Sequence, residues 1–217
     1  MDSEAESARP LRRWLGARFG ADEAVGDRIA RRITHCLGVL VLIYYALPAG
    51  VFVIVSKEEV LLAALVAAWM LEGLRHALHF DLAMIRPHER DRVASYPFYA
   101  TALAGAILLL PIPIAAAVIL GTALVDPLAG ELRLNERTRV LYPALPFLVY
   151  AFLAWTGLAL VGGWPWGWSA MLALLAAAIG ISAEYPKIPW IDDDLVMTFA
   201  PALALYLIGV LALGLPT

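Results

Sequence analysis

The chain has 217 residues and one cysteine, Cys36, which excludes an internal disulfide and any multi-cysteine zinc site. Charge is also scarce. Asp, Glu, Lys and Arg make up 16% of residues, against about 25% in an ordinary soluble domain. The net charge of −3 is too small to suggest a nucleic-acid partner. The sequence has no Walker-type glycine loop, no Ser-centred nucleophile elbow and no zinc-protease motif. Residues 1–36 are polar and Arg-rich, without a short apolar core and small-residue cleavage site before Leu37, so they do not read as a signal peptide. No internal repeat or low-complexity tract is visible. Apolar residues, by contrast, make up 62% of the chain, and the mean hydropathy is +0.76. That composition argues against a soluble globular enzyme and against a disordered chain.

A membrane span needs roughly 20 mostly apolar residues. The sequence predicts an all-α, polytopic membrane bundle of about seven such helices. They cover Leu37 to Val55, a helix from Val60 that is purely apolar to Leu71, Ala94 to Leu110, Pro111 to Val125, Leu141 to Val161, Trp168 to Ala183, and Leu195 to Leu215. The fourth and sixth are short, and six spans is the alternative count. Residues 1–36 read as a cytoplasmic tail ending in a basic amphipathic helix, with Met1 to Ala8 disordered. Residues 37–217 read as the membrane-embedded catalytic domain.

Lys and Arg in short loops set the orientation. With seven spans and the N-terminus inside an integral cell (plasma) membrane, all 16 Lys and Arg except Lys57 fall on or near the inner side. So do all four histidines, and all 19 acids except Glu58 and Glu59. The tryptophans of Trp164-Pro165-Trp166-Gly167-Trp168 suit the outer interface. Positive-inside bias accounts for the arginines but not for acids and histidines, so the inner surface reads as a cytoplasmic site.

Four polar constellations stand out. Arg28, Arg31, Arg32 and His35 share one helical face, either as a lipid-headgroup anchor or as a cationic rail for a phosphate-bearing substrate. Glu72, Arg75, His76 and His79 repeat that spacing; a helix-locking ion pair is one reading, and a two-histidine metal site is a weak one. Asp126-Pro127 ends an apolar run and reads as the cap and first residue of a new helix, with Ala129, Gly130, Glu131 and Arg133 following. Ala129 and Gly130 would let a ligand approach the backbone. Last, Glu184 precedes the triple acid Asp192-Asp193-Asp194 at the start of the final span. One acid suffices to cap a helix; clustered carboxylates at a membrane edge suit Mg²⁺, which binds oxygen ligands and often bridges phosphates. A solvated acidic turn is the alternative. Carboxylates and arginines in one place are what phosphoryl or nucleotidyl transfer requires.

These segments resemble the integral-membrane lipid kinases related to dolichol kinase, phytol kinase and CTP-dependent diacylglycerol kinase, themselves relatives of the phosphatidate cytidylyltransferases. The carrying residues are Ala30-Arg31-Arg32-Ile33-Thr34-His35, Glu72-Gly73-Leu74-Arg75, Asp126-Pro127-Leu128-Ala129-Gly130 and Pro189-Trp190-Ile191-Asp192-Asp193-Asp194-Leu195. The resemblance implies a polytopic enzyme that transfers phosphate from CTP to a lipid alcohol with Mg²⁺. It places Asp126, Asp192 and Asp193 as the metal-binding and catalytic acids. Arg31, Arg32, His35, Glu131, Arg133 and Glu184 fall around the nucleotide. The chain departs from the family in three places. Val125 stands for the usual glycine, Asp194 for the usual asparagine, and the loop Leu134-Asn135-Glu136-Arg137-Thr138-Arg139 lacks the family's lysine and Glu-Gly.

The expected function is therefore a CTP-dependent lipid-alcohol kinase, acting on dolichol, a polyprenol or a diacylglycerol-like acceptor at the cytoplasmic face. A CDP-lipid synthase and a non-catalytic lipid-binding member are the alternatives. A transporter is disfavoured because the acids lie at one edge, not within broken helices at mid-membrane. The acceptor lipid and the oligomeric state stay open.

Overall fold

The computed structural model describes residues 23–48, 50–52, 55–80, 85, 89, 91–185 and 191–217. The N-terminal expectations for residues 1–22 and the Pro189-Trp190 part of the last motif lie outside the described residues.

The described chain is mostly helical, with one small hairpin. α1 (Glu23–Leu37) runs on as a 3₁₀ helix (Gly38–Ala46). A two-stranded hairpin follows, β1 (Gly50–Phe52) with β2 (Val55–Ser56). Then come α2 (Lys57–Leu78), α3 (Ser95–Leu109) and α4 (Ile112–Leu134). A 3₁₀ turn (Arg139–Leu141) leads to α5 (Ala144–Trp155), which loosens into a π turn (Thr156–Val161). α6 (Trp166–Ser182) and α7 (Asp193–Leu205), itself ending in a π turn (Tyr206–Ala212), complete the chain.

Five of these helical units are long and apolar enough to cross a membrane: Arg28–Ala46, Lys57–Leu78, Ile112–Leu134, Ala144–Val161 and Asp193–Ala212. The apolar helices α3 and α6 are shorter, at 15 and 17 residues.

Three expectations need correction. The first candidate span begins at Arg28, not Leu37, because α1 runs on without a break into the 3₁₀ helix. The hairpin occupies the stretch expected to finish that span; Pro48 and Gly50 disfavour helix there. The third correction concerns Pro127. It lies inside α4 and starts no new helix, so α4 continues eight residues past Asp126 to Leu134. The proline's missing N–H leaves the carbonyl four residues earlier without its helical donor, a cost the helix bears without ending there. Arg32 Nη1 donates to the carbonyl of Pro127 itself at 3.0 Å, tying α1 to α4 at this turn.

α4 is the central element. Ile114, Ala115, Ala116, Ala117, Val118 and Ile119 are buried in succession, so the helix is enclosed on every side. Ala115, Ala116 and Ala117 permit this, since small side chains let neighbouring helices approach closely. A Cβ on Gly157 would lie 2.5 Å from the Ala117 nitrogen, so the π turn of α5 rests directly on the α4 backbone. By contrast, the Arg28–Ala46 unit and α2 bury little and leave Leu40, Ile43, Val66, Met70 and Leu74 exposed.

Contacts between the helix termini define two ends. At one end Tyr45 reaches the Ile107 carbonyl, Gly162 sits on Pro113, and Trp164 Nε1 donates to the Pro216 carbonyl at 2.7 Å. At the other end lie Arg32, Asp126, Arg133, Glu184 and Asp194. α6 begins beside the first end at Trp166 and finishes beside Glu184 at the second. α3 runs the opposite way, from Ala94 beside Glu72 to the Leu110–Pro111 corner.

Glu72 and Arg75 form a latch at the site end. Both are buried, and the guanidinium donates to the carboxylate at 2.9 and 2.8 Å. Arg75 also donates to the Arg92 carbonyl at 2.7 Å, while Glu72 accepts from the Ala94 nitrogen at 2.7 Å. The pair ties α2 to the segment that starts α3. His76 Nε2 lies 3.3 Å from Glu72, with its side chain 40% exposed, and His79 ends α2 in a left-handed conformation.

Candidate functional site

The site is assembled from the α1 face against the end of α4, closed by the start of α7. Residues three and four apart share a helical face, so Arg28, Arg32 and His35 meet α4 together. Arg32 pairs with Glu131, and Arg28 Nε lies 3.8 Å from the same carboxylate. Gly130 leaves room for this crossing, since a Cβ there would stand 3.2 Å from Arg32 Nη2. One turn further on, His35 Nδ1 lies 3.6 Å from Asp126 Oδ2, and His35 Nε2 lies 3.7 Å from Asp194 Oδ2.

His35 is held from behind. Tyr99 of α3 stacks on its ring, with centroids 4.3 Å apart, and donates its hydroxyl to the His35 carbonyl at 2.7 Å. Gly38 makes that approach possible, because a Cβ there would fall 1.9 Å from the tyrosine oxygen.

His35, Asp126 and Asp194 each offer one ligand atom, and the three atoms lie within 4.8 Å of one another. Among the described residues this is the grouping with metal-ligand spacing. His35 and Asp194 are buried, and Asp126 is half-buried, facing a polar cavity of about 290 Å³. Arg31, Arg32, Arg133 and Asp193 line the same cavity. One imidazole and two carboxylates, converging beside a polar opening, fit a divalent cation.

The three adjacent acids divide their work. Asp192 caps α7, its Oδ1 accepting from the Asp194 nitrogen at 3.2 Å. Burial and the neighbouring Asp193 push the Asp192 carboxyl up to about 6. Asp193 faces the cavity, and Asp194, sequentially the third, turns inward to His35. The structure thus groups Asp126 with His35 and Asp194, while Asp192 serves the helix end.

Glu184 and Arg133 form a second polar unit on the rim. Arg133 pairs with Glu184 and lies 5.3 Å from the Tyr142 ring centroid, and the Tyr142 hydroxyl donates to Glu184 at 3.0 Å. Burial outweighs the favourable Arg133 charge, so the Glu184 carboxyl sits above the usual carboxylate range. Burial likewise raises the Tyr142 hydroxyl, with Tyr185 and Glu184 contributing. Arg137 and Arg139, on the loop after α4, are exposed and do not line the cavity.

Tyr99, Tyr142 and the placement of Asp194 beside His35 are additions made by the structure. Tyr99 is an aromatic residue in an apolar helix and Tyr142 one in a turn, and neither carries a sign of polar duty in the sequence. Asp194 did carry one: a cap uses the first acid of a run on its own backbone, leaving later ones free to turn elsewhere.

No protein-family model, curated protein or solved structure matches the chain. The resemblance to lipid kinases therefore stands on its motifs alone.

Proposed function

We propose that the protein is an integral-membrane phosphotransferase that moves phosphate from CTP to a lipid alcohol at the cytoplasmic face, within a seven-helix bundle. One observation carries the reading: the polar cavity at His35, Asp126 and Asp193 adjoins an apolar groove, and Arg32 lines both. The groove, about 530 Å³, runs along Ile29, Ile33, Leu37 and Leu40 of the first helical unit and Leu124 of α4. A lipid chain lying there would bring its polar head to Arg32 and the acids.

His35, Asp126 and Asp194 would hold the divalent cation. When bound, it supplies positive charge against the phosphate oxygens. Arg31, Arg32 and Arg133 line the cavity where a polyphosphate would sit. Arg32 and Arg133 are braced by Glu131 and Glu184, which fixes their guanidinium groups. A guanidinium has five N–H donors, so one carboxylate partner leaves donors for a phosphate. Asp193, in the cavity but outside the triad, accepts the proton of the lipid hydroxyl. The hydroxyl oxygen forms a bond to the terminal phosphorus, the bridging P–O bond breaks, and CDP leaves. Positioning and charge neutralisation do most of the work in such transfers.

The test uses purified protein in lipid nanodiscs with terminally labelled CTP, a divalent cation, and a panel of polyprenols, diacylglycerol and archaeal-type lipid alcohols. Label should enter at least one lipid, with CDP released, and Asp126→Asn should lower the rate by about 100-fold or more. Pyrophosphate release from a lipid phosphate would assign a CDP-lipid synthase instead. The exposure of Arg137 and Arg139 away from the cavity favours a second reading, a non-catalytic lipid-binding member. Absence of label from every lipid, with retained lipid binding, would select it.

A further inference from the structure

We propose that the His35–Asp126–Asp194 cluster is a site for a first-row transition-metal dication of the Mn²⁺ type, in preference to Mg²⁺. The inference rests on the metal-dependent reading above and specifies its ion.

Three observations carry it. First, the donor set is mixed: a nitrogen from α1 joins oxygens from α4 and α7, all within 4.8 Å. Mg²⁺ is hard, strongly hydrated and best served by oxygen alone, whereas borderline transition ions accept imidazole readily. Mn²⁺ combines that tolerance with affinity for carboxylates and phosphates. The acid pair Asp192–Asp193 would have offered an oxygen-only site, but Asp192 is occupied in capping α7.

Second, two carboxylates meet at the buried histidine with a gap. The His35 contacts to Asp126 and Asp194 are 3.6 and 3.7 Å, longer than the 2.7–3.2 Å typical of N–H···O hydrogen bonds. That spacing leaves room for an ion between the three side chains. Arg32 and Arg133 pair with Glu131 and Glu184, and Arg31 lines the same cavity. Coordinating a metal is one of the ways a buried carboxylate is accommodated.

Third, the histidine ring is held in place. Tyr99 stacks on it and hydrogen-bonds to the backbone carbonyl of the same residue, which limits the ring's freedom to leave the two acids.

The experiment is metal binding by the full-length, chelator-stripped protein in nanodiscs without nucleotide, followed by electron paramagnetic resonance of added Mn²⁺. One Mn²⁺ per chain should lose its free-ion signal, and a roughly 100-fold excess of Mg²⁺ should fail to restore it. The bound signal should show electron-spin-echo modulation from an imidazole ¹⁴N, a readout that needs no variant. His35→Gln should weaken Mn²⁺ binding at least ~10-fold, as loss of a metal-site partner does. Asp192→Asn should leave affinity within about twofold. Mg²⁺ competing on equal terms, the absence of ¹⁴N modulation, or no bound Mn²⁺ would each overturn the inference. The two readings fail separately. A ¹⁴N-coupled Mn²⁺ site without lipid phosphorylation leaves the metal assignment standing and removes the kinase. Lipid phosphorylation with Mg²⁺ and no nitrogen coupling does the reverse.

Discussion

At the scale of single residues, Glu184 shows how burial sets chemistry on the rim of the site. Its carboxyl titrates above the usual range because burial exceeds the help from Arg133 and Tyr142. The folded protein therefore keeps a proton on Glu184 at pH values where the unfolded chain, near about 4.3, has released it. Stability linked to that proton is fully present below the unfolded value and is lost as pH rises through the raised folded value. Glu184→Gln fixes the neutral form. Its melting temperature relative to wild type should therefore rise between about pH 4 and pH 7. A difference that stays flat across that range would show that the buried carboxyl is not linked to folding.

Residues also differ in how openly the sequence shows them. Asp126 was legible because a carboxylate after the run Ile114 to Val125 must find a partner, and it finds His35. The α1 face was legible from its spacing alone; what spacing could not give was the depth, since the candidate span already includes those arginines. Among Asp192, Asp193 and Asp194, composition announces a cluster without ranking its members. The ranking depends on which backbone nitrogen the first acid bonds, a fact of the helix start rather than of the acids. Tyr99 was illegible, because its partners His35 and Gly38 lie some sixty residues away.

Among the elements, α4 carries the largest difference between local and tertiary signals. Asp followed by Pro is a good helix start taken alone. Here the helix is already committed by the enclosed stretch Ile114–Ile119, and stopping at Asp126 would expose backbone groups inside the bundle. Packing around α4, not the local motif, sets its length. The same enclosure makes its neighbours intolerant of volume. A Cβ at Gly157 meets backbone atoms of Ala117 and Ala116 within 3.0 Å, so α4 and α5 would have to separate. Gly157→Ala should therefore lower stability by about 1–3 kcal/mol, as overpacking does. Gly167, where an added Cβ meets nothing within 4 Å, is the internal control; Gly167→Ala should stay within about 0.5 kcal/mol. Thermal melting in one detergent compares the two directly, and equal melting temperatures would refute the close α4–α5 contact.

For the whole molecule, the question is whether the two ends of the bundle face the two sides of a membrane. The hydropathy pattern made the apolar helices legible, but their two-ended arrangement needed contacts between distant termini. α3 and α6 are short: at 1.5 Å per residue they span about 22 and 26 Å, against a hydrocarbon core of about 30 Å. Yet both run from one end of the bundle to the other, and α6 is flanked by Trp164 and Glu184 at its two limits. Indole rings favour the interface, and the Lys and Arg bias favours the cytoplasm. In a Cys36→Ser background, Gly167→Cys reports the tryptophan end and Arg137→Cys the site end; both positions are exposed. A membrane-impermeant maleimide added to intact cells should label Gly167→Cys at once and Arg137→Cys only after the cells are opened. Labelling of both from outside would place α6 along one face of the bilayer and remove the seven-span reading. Labelling in the opposite order would put the His35–Asp126–Asp194 end outside, away from cytoplasmic nucleotide, and remove CTP as the donor.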